Sequence, residues 1–357
     1  MWIRKIKIKN FRNYNEEEFK LENGINVFFG ENAQGKTNII EAIYLSAFGK
    51  SFRTKKENEI IKEDKDIAEV EIEYEKKDRD GKIKVILNNK KNIFLNGIKI
   101  KKLSELLSNL NIVIFTPDDI NILKGTPQKR RRFIDIMIGQ LKPNYIYTLN
   151  NYLKILEQRN IYLRQIKEEG KNESFLDIWD EKLVEEAEKI YKYRKEFLLK
   201  IEDKIREEHR EITKNKEELK LEYISDFFNK EEFLKKLKEK RKLDILKGYT
   251  TKGVHRDDFV IYINGKQVNV FGSQGQNRTV MLSLKLAEIE VIKEEIDEYP
   301  VLLLDDFMSE LDNKRIKNFF EKIGDIQVII TCTEKINIEK LNFFVYNVKD
   351  GKVYKEQ

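Results

Sequence analysis

A glycine-bounded segment that ends in a lysine and a hydroxyl residue could hold the phosphates of a nucleotide. Residues 30–37 read GENAQGKT, a complete GxxxxGK[ST] pattern between an apolar segment and a helical one. Glycines let backbone N–H groups turn inward around phosphates at a helix N-terminus, where the helix dipole favours negative charge. Lys36 is expected to reach the β- and γ-phosphates, and Thr37 to ligate Mg²⁺. The pattern predicts an ATP site over Gly30, Glu31, Asn32, Ala33, Gln34, Gly35, Lys36 and Thr37.

Two adjacent acids could supply the metal ligand and the base that such a site needs. Residues 301–304 are Val-Leu-Leu-Leu, and Asp305 and Asp306 follow them directly. The apolar run predicts a buried strand, and ligands bind beyond the C-terminal ends of strands in open α/β sheets. Asp305 is expected to hold Mg²⁺, and Asp306 to polarise the attacking water. Acids after a strand are also common as ordinary caps; the glycine-bounded segment upstream favours the catalytic interpretation.

A serine- and glycine-containing turn precedes the acidic pair. Residues 271–276 read FGSQGQ, followed by a helical pattern, and residues 309–312 read SELD beyond the acids. Alone, such a turn is more often structural, but in this order the two segments resemble the signature sequence and the D-loop of ABC-type ATPases. The resemblance implies that Ser273, Gly275 and Gln276 contact the γ-phosphate of a nucleotide held by a second subunit. ATP would then join two subunits head to tail, with Ser273 counted among the catalytic residues.

The elements that must position these residues follow from hydrophobic periodicity. Apolar residues alternate over residues 2–9 and form a short run at 25–29, and helical spacing begins at Thr37. Residues 67–116 predict an antiparallel meander around the Asn96-Gly97 turn. Residues 118–242 read as long, charged helices with a break at Lys142-Pro143. Alternation then returns with an Asn264-Gly265 turn, and further elements are predicted at residues 276–296, 301–304 and 327–330.

These elements predict an α/β fold in which a helical insertion interrupts one head. The fold class is an ABC-type P-loop ATPase head with an antiparallel β subdomain and an inserted helical arm. The predicted domains are residues 1–117, the arm at 118–244, and residues 245–357, which carry the signature, the acidic pair and the D-loop.

Composition restricts the classes of protein that remain. The 357 residues carry 69 Lys and Arg against 63 Asp and Glu, a formal net charge of +6 that is too small to prove a nucleic-acid partner. The single cysteine excludes an intrachain disulfide and a cysteine-based zinc site. The N-terminus lacks the apolar core of a signal peptide, and no run approaches the roughly 18 apolar residues of a membrane helix. We therefore expect a cytoplasmic protein without a membrane partner.

Further strings bring the chain close to one family. Residues 6–14 (IKIKNFRNY) and 24–27 (GINV) resemble the opening of SMC-like chromosome and repair ATPases. The strings KSFR, FTPDD, KRRRFID and GVHRDD, which begin at residues 50, 115, 129 and 253, resemble the RecF family of bacterial DNA replication and repair proteins across essentially the whole chain.

The resemblance implies a DNA-binding ATPase that forms ATP-dependent dimers. It implies work with RecO and RecR to load RecA at single-strand gaps and at their junctions with duplex DNA. It also places Arg12 and Asn13 near the nucleotide; an ordinary strand end with an exposed arginine is the alternative for that segment.

Basic residues are the candidates for contact with the DNA backbone. Lys129, Arg130, Arg131 and Arg132 are consecutive, and Arg53 is a weaker candidate. The run could equally be the solvated first turns of a helix. Four consecutive basic residues cover all sides of a helix, so one or two must face inward or toward a partner.

Two departures from the ABC pattern predict slow turnover. The second acid is Asp306 where most ABC ATPases have glutamate, and Thr331-Cys332-Thr333 stands where a switch histidine normally follows the last core strand. The missing histidine and the long insertion also speak against a transporter subunit. A chromosome-organising protein with a coiled-coil arm would need far more residues between Lys36 and Asp305. A metal cluster at His255 is a weaker alternative, since the chain has only 2 histidines.

Overall fold

We describe a computed structural model of the chain over residues 1–306, 319–324, 326–333 and 343–356. Its strands are β1 (Trp2–Phe11), β2 (Tyr14–Lys20), β3 (Ile25–Phe29), β4 (Ala68–Glu75), β5 (Asp80–Leu87), β6 (Asn92–Leu95), β7 (Ile98–Lys99), β8 (Ile112–Phe115), β9 (Leu219–Ile224), β10 (Asp258–Ile263), β11 (Lys266–Gln267), β12 (Val301–Asp305), β13 (Val328–Cys332), β14 (Phe343–Lys349) and β15 (Lys352–Lys355). Its helices are α1 (Lys36–Phe48), α2 (Ile120–Lys124), α3 (Pro127–Leu141), α4 (Pro143–Glu169), α5 (Leu176–Thr213), α6 (Lys230–Lys247), α7 (Val268–Phe271) and α8 (Gln274–Ile296).

An antiparallel sheet carries the alternating segments, in the strand order β2-β1-β4-β5-β6-β7. Ile3, Ile6 and Ile8 of β1 are buried, while Lys and Glu side chains pair across the other face, as in Lys5–Glu18 at 2.6 Å. One buried and one solvated face is what an alternating strand produces. The predicted Asn96-Gly97 turn is present, with φ of 49° and 82°.

A second, mainly parallel sheet carries the apolar runs, in the order β15-β14-β3-β13-β12-β8. Strands β14, β3, β13, β12 and β8 are parallel, and every residue of β12 and β13 is buried. Parallel strands are covered on both faces, which is why they read as continuous apolar runs. The carboxyl ends of β3, β13 and β12 therefore lie together at one edge of the sheet.

A third sheet, in the order β11-β10-β9, accompanies the long helices. The break at Lys142-Pro143 separates α3 from α4 as predicted, because proline starts a helix readily but cannot continue one. β9 corrects the prediction that residues 118–242 are helical apart from the break at Lys142-Pro143. Its sequence LKLEYI has a period of two, and Leu219 and Leu221 are buried against the core while Lys220 and Glu222 are exposed.

Contacts divide the chain into two compact units, Met1–Asp119 with Glu288–Gln357, and Ile120–Ala287. The first, which we call the head unit, contains the antiparallel and the mainly parallel sheets. The second, which we call the arm unit, contains helices α2–α7, most of α8 and the three-stranded sheet. The predicted functional boundaries at residues 117 and 244 stay predictions.

Candidate nucleotide site

The glycine-bounded loop has a backbone that only glycine accommodates at two positions. Gly30 and Gly35 have φ of 154° and 115°. A Cβ on Gly30 would stand 2.3 Å from the carbonyl oxygen of Val348, and one on Gly35 would stand 2.7 Å from Asn13 Oδ1 and 2.9 Å from the hydroxyl of Tyr14. The loop ends at the N-terminus of α1, where no side chain caps the helix, and such a terminus suits a bound anion.

Lys36 lies across this loop. Its Nζ donates to the carbonyl oxygens of Gly30 at 2.6 Å and Glu31 at 2.7 Å. Partial burial lowers the pKa of the Lys36 ammonium, against the opposing attraction of Asp306 and Asp305. An ammonium held there, beside an arc of N–H groups, is placed to meet the oxygens of a phosphate chain.

Thr37 and Asp305, predicted from opposite ends of the chain to share one metal ion, are in contact. The Thr37 hydroxyl donates to Asp305 Oδ1 at 2.9 Å, and the Thr331 hydroxyl donates to the same oxygen at 2.7 Å. Asp305 and Thr331 are register partners on β12 and β13, which explains their proximity. Asp305 is only 7% exposed, and burial raises its pKa while the two hydroxyls oppose the rise. A buried carboxylate beside a hydroxyl offers the hard oxygen donors that Mg²⁺ prefers.

Asp306 occupies a different position from its neighbour. It is exposed, with φ of 49°, and its backbone N–H donates to the Thr331 hydroxyl at 3.2 Å. This left-handed backbone turns the chain at the end of β12. The two acids therefore differ in environment: Asp305 is buried among hydroxyls, and Asp306 faces the cavity.

A cavity of about 650 Å³ collects these side chains within the head unit. The predicted site residues that line it are Arg12, Asn13, Asn32, Ala33, Gly35, Lys36, Thr37, Asp305 and Asp306. Gln34 is tied to its wall, since Asn13 Nδ2 donates to the Gln34 carbonyl at 2.8 Å.

Cys332 and Thr333, which stand where ABC-type ATPases normally have the switch histidine, also line this cavity. Burial raises the pKa of the Cys332 thiol to about 11, so the thiol stays protonated near neutral pH. A protonated thiol is no general base.

Glu41 is a residue that the sequence analysis missed. Its carboxylate is fully buried on α1 and accepts from Arg12 Nε at 2.9 Å, Arg12 Nη2 at 2.7 Å and Arg53 Nη1 at 3.2 Å. The Ser51 hydroxyl donates to it as well, at 2.5 Å. Glu41 thus fixes the only two arginines of the cavity wall among the described residues. The available signal was a single acid inside the apolar stretch IIEAI at residues 39–43.

The signature turn lies in the arm unit, at the start of α8. Ser273 and Gln276 form a reciprocal cap: the Gln276 backbone N–H donates to Ser273 Oγ at 3.2 Å, and the Ser273 backbone N–H donates to Gln276 Oε1 at 3.0 Å. A Cβ on Gly275 would meet no atom of the described chain within 4 Å. The predicted D-loop, residues 309–312, lies outside the described residues.

The basic run divides into two kinds of side chain on α3. Arg130 is buried; its Nε and Nη2 donate to the two carboxylate oxygens of Asp258 at 2.6 and 2.8 Å, and its Nη1 donates to the Gly125 carbonyl at 2.8 Å. Arg131 is half-buried and donates to the Asp257 carbonyl at 2.6 Å. Lys129 and Arg132 are exposed.

The guanidinium of Arg130 is occupied by Asp258, so Lys129 and Arg132 are the members of the run better placed for a DNA phosphate; DNA contact by the run stays a prediction. The expectation that one or two members of the run face inward is met. Arg53, the other candidate, is 42% exposed in its side chain but is bound by Asn38 and Glu41 at the nucleotide cavity.

Comparisons with known proteins agree over nearly the whole chain. A family model described as "RecF/RecN/SMC N terminal domain" matches residues 2–353. The "DNA replication and repair protein RecF" of Acetivibrio thermocellus is 42% identical, covering 99% of this chain and 100% of that protein. The protein of the same description from Clostridium tetani is 43% identical, covering 99% and 98%.

Solved structures give the same picture. The structure described as "recombination mediator protein RecF-ATP in RecFOR pathway" has a TM-score of 0.94 at 38% identity, covering 100% of this chain and 98% of that chain. An SMC head bound to the C-winged helix domain of ScpA has a TM-score of 0.60 at 18% identity, covering 100% and 98%, and shows the shared head fold alone. Within the described ranges, no helix has the length and apolar content needed to cross a membrane.

Proposed function

The chain belongs to the RecF family within the wider RecF, RecN and SMC group, and on that premise we propose that it is a DNA-repair ATPase whose subunits are joined by ATP. The observation that carries this proposal is the contact between Thr37 and Asp305, at 2.9 Å, beside Lys36 and the two glycines of positive φ. Residues from two distant segments, 268 positions apart, converge there on one anion-binding loop. An ordinary strand cap would not need that convergence.

Mg²⁺ fits the donor set of Thr37 and Asp305. The raised pKa of Asp305 reflects a carboxylate that burial disfavours, and a divalent cation would favour its charged form. When bound, Mg²⁺ would neutralise charge on the β- and γ-phosphate oxygens.

The chain's own residues perform the remaining tasks. Lys36 exchanges its two loop carbonyls for phosphate oxygens, and Arg12, held by Glu41, lies at the same cavity with Asn13. Asp306 accepts a proton from the attacking water. Aspartate is one methylene shorter than the usual glutamate and no histidine stands at positions 331–333, so we propose that hydrolysis is slow and is stimulated by DNA.

Ser273 and Gly275 of each subunit complete the site of the other. Ser273 is exposed, and its hydroxyl accepts from within the chain but keeps its proton to donate to a γ-phosphate. The open space around Gly275 leaves room for a second subunit to approach. Loss of the γ-phosphate removes this bridge, so hydrolysis releases the dimer.

The partners follow from the family. We propose that the ATP-bound dimer binds duplex DNA and single-strand to double-strand junctions, and acts with RecR and RecO in the cytoplasm to promote RecA loading at gaps. Contacts would go to the backbone and to duplex shape rather than to base edges.

The association is tested by the mass of the protein in solution. Light scattering with and without ATP is expected to show a monomer that becomes a dimer for the wild type, and a persistent monomer for Lys36→Met and Ser273→Arg. Lys36→Met removes the phosphate contact in one subunit, whereas Ser273→Arg leaves nucleotide binding intact and blocks the partner. A wild type that stays monomeric at saturating ATP would contradict the shared site.

DNA contact is tested at the exposed members of the basic run. Lys129→Ala with Arg132→Ala is expected to reduce the slope of log affinity against log salt by about 2, since each contacted phosphate contributes about 0.9 for duplex DNA. The measurement is fluorescence anisotropy of labelled duplex at several salt concentrations with ATP. Lys235→Ala with Lys242→Ala, which removes two exposed lysines of α6, is the matched control. Equal slopes for the two double variants would place the DNA elsewhere.

A further inference from the structure

The signature turn is held from the side by one carboxylate, Glu217. The Gln276 side chain uses both ends of its amide: Oε1 accepts from the Ser273 backbone N–H at 3.0 Å, and Nε2 donates to Glu217 Oε1 at 2.8 Å. A hydrogen bond to a charged acceptor is about twice as strong as one between neutral groups. The orientation of the Gln276 amide, and with it the cap on Ser273, therefore depends on Glu217.

The second oxygen of Glu217 is held in turn by a buried histidine. His209 Nε2 lies 2.9 Å from Glu217 Oε2, and His209 Nδ1 lies 3.2 Å from the Ser283 hydroxyl. Burial lowers the pKa of His209, and Glu217 opposes that effect. An imidazole that carries its proton on Nε2 donates it to Glu217, whereas the Ser283 hydroxyl beside Nδ1 donates its own proton to the Thr279 carbonyl at 2.9 Å.

These contacts connect two elements that are far apart in sequence. His209 stands in the last turns of α5, the 38-residue helix of the arm unit, and Ser273 directly precedes α8. Glu217 lies in the segment between α5 and β9, and its carboxylate contacts His209 of α5 and Gln276 of α8. A displacement of the end of α5 would therefore move the Glu217 carboxylate and change the orientation of the Gln276 amide.

We propose that Glu217 is a positioning residue: it holds the signature turn so that the Ser273 hydroxyl can meet the nucleotide of a second subunit, and it makes that readiness depend on the end of α5. This inference rests on the proposed ATP-driven dimer. Glu217 itself touches no nucleotide; it acts through Gln276. Any ligand or partner that displaces the end of α5 would then alter dimerisation and leave nucleotide binding by the single subunit unchanged.

The turn keeps enough other contacts to remain folded without Glu217. Asn277 Nδ2 donates to the carbonyls of Gly272 at 2.8 Å and Ser273 at 2.7 Å, and the Thr279 hydroxyl donates to the Gly275 carbonyl at 2.9 Å. Removing the carboxylate should thus release the Gln276 amide and the Ser273 N–H, while α8 still begins at the same place.

The first test compares Glu217→Ala with Glu218→Ala, which removes the same charge from the exposed neighbouring side chain. In the nucleotide-free protein, hydrogen exchange at the Ser273 amide is expected to be about tenfold faster in Glu217→Ala and unchanged in Glu218→Ala. With ATP, the midpoint concentration of dimerisation is expected to rise at least about tenfold in Glu217→Ala alone. Nucleotide binding by the monomer should match the wild type in both variants.

The outcomes separate the inference from the proposed function. A wild type that does not dimerise with ATP would overturn the shared site, and the exchange measurement would still decide whether Glu217 holds the turn. A wild type that dimerises, together with unchanged exchange and dimerisation in Glu217→Ala, would overturn the positioning role.

A swap of the two side chains tests the contact itself. Gln276→Glu sets two carboxylates against each other and should weaken dimerisation more than Glu217→Ala does. Adding Glu217→Gln to that variant restores a donor between the two positions, keeps an acceptor for His209, and lets the new glutamate cap Ser273. Recovery of dimerisation in the double variant supports the inference. Failure to recover would mean that Gln276 acts on the partner's nucleotide independently of Glu217.

Discussion

Asparagine at position 306 is expected to slow ATP hydrolysis by about two to four orders of magnitude, because it removes the carboxylate that we propose accepts a proton from the attacking water. ATP-driven dimers should still form and should persist, since the γ-phosphate bridge is no longer removed. Asparagine has the size of aspartate and tolerates the φ of 49° at this position, so the end of β12 keeps its shape. Single-turnover hydrolysis and light scattering over time measure the two effects.

Asp305→Asn is the matched comparison for this prediction. It removes one charge from the adjacent residue, but from the buried oxygen that Thr37 and Thr331 contact. The expected change is a higher Mg²⁺ concentration for half-maximal activity. Equal hydrolysis rates for the wild type and Asp306→Asn would show that another residue acts as the base. The same Mg²⁺ dependence in Asp305→Asn and Asp306→Asn would show that the two acids do not have separate roles.

Methionine in place of Arg194 is expected to destabilise the arm unit by about 3–5 kcal/mol, because it leaves the buried carboxylate of Asp257 and the partly buried one of Asp135 without their cation. Arg194 is 1% exposed; it pairs with Asp135 and Asp257, each at 2.9 Å, and donates to the Tyr145 hydroxyl at 3.0 Å. Desolvation by burial raises the pKa of Asp257, and the positive charge of Arg194 opposes that rise more than any other group does. Without Arg194, that carboxyl is expected to take up a proton more readily.

Urea unfolding followed by tryptophan fluorescence measures this effect for each unit separately. Trp179 lies in the arm unit and Trp2 in the head unit, so a Trp2→Phe background reports the arm unit alone. Arg210→Met, an exposed arginine of the same helix, is the control and should change stability little. A loss below about 1 kcal/mol for Arg194→Met would show that water replaces the lost partner.

The sequence predicts best those features whose cause is local. The loop at residues 30–37 and the acids after β12 are complete within a few residues, and the run 301–304 is continuous because both faces of its strand are covered. β9 was missed because its six residues have too short an alternation to stand out between long charged helices. Its register with β10 becomes evident only in three dimensions.

The features that escaped prediction depend on partners far along the chain. Arg130 reads as a surface base within its run, yet its acceptor Asp258 stands 128 residues away. Glu217 lies in a charged stretch of ordinary composition, and nothing local marks it as the partner of Gln276. Glu41 has a local signal, an acid within an apolar helix, but the identity of its two arginines follows only from folding.

The order of strands in the parallel sheet also determines how much of the chain must be synthesised before the nucleotide site can form. β13 lies between β3 and β12 in the parallel sheet, and its Thr331 completes the surroundings of Asp305. A nascent chain that ends before residue 328 holds the glycine loop and both acids but has no strand to bridge them. Because a domain generally folds as a unit, we expect ATP to be bound only after the ribosome has nearly finished the chain. We therefore expect unfinished chains to bind no ATP and to form no ATP-dependent dimer with a complete chain.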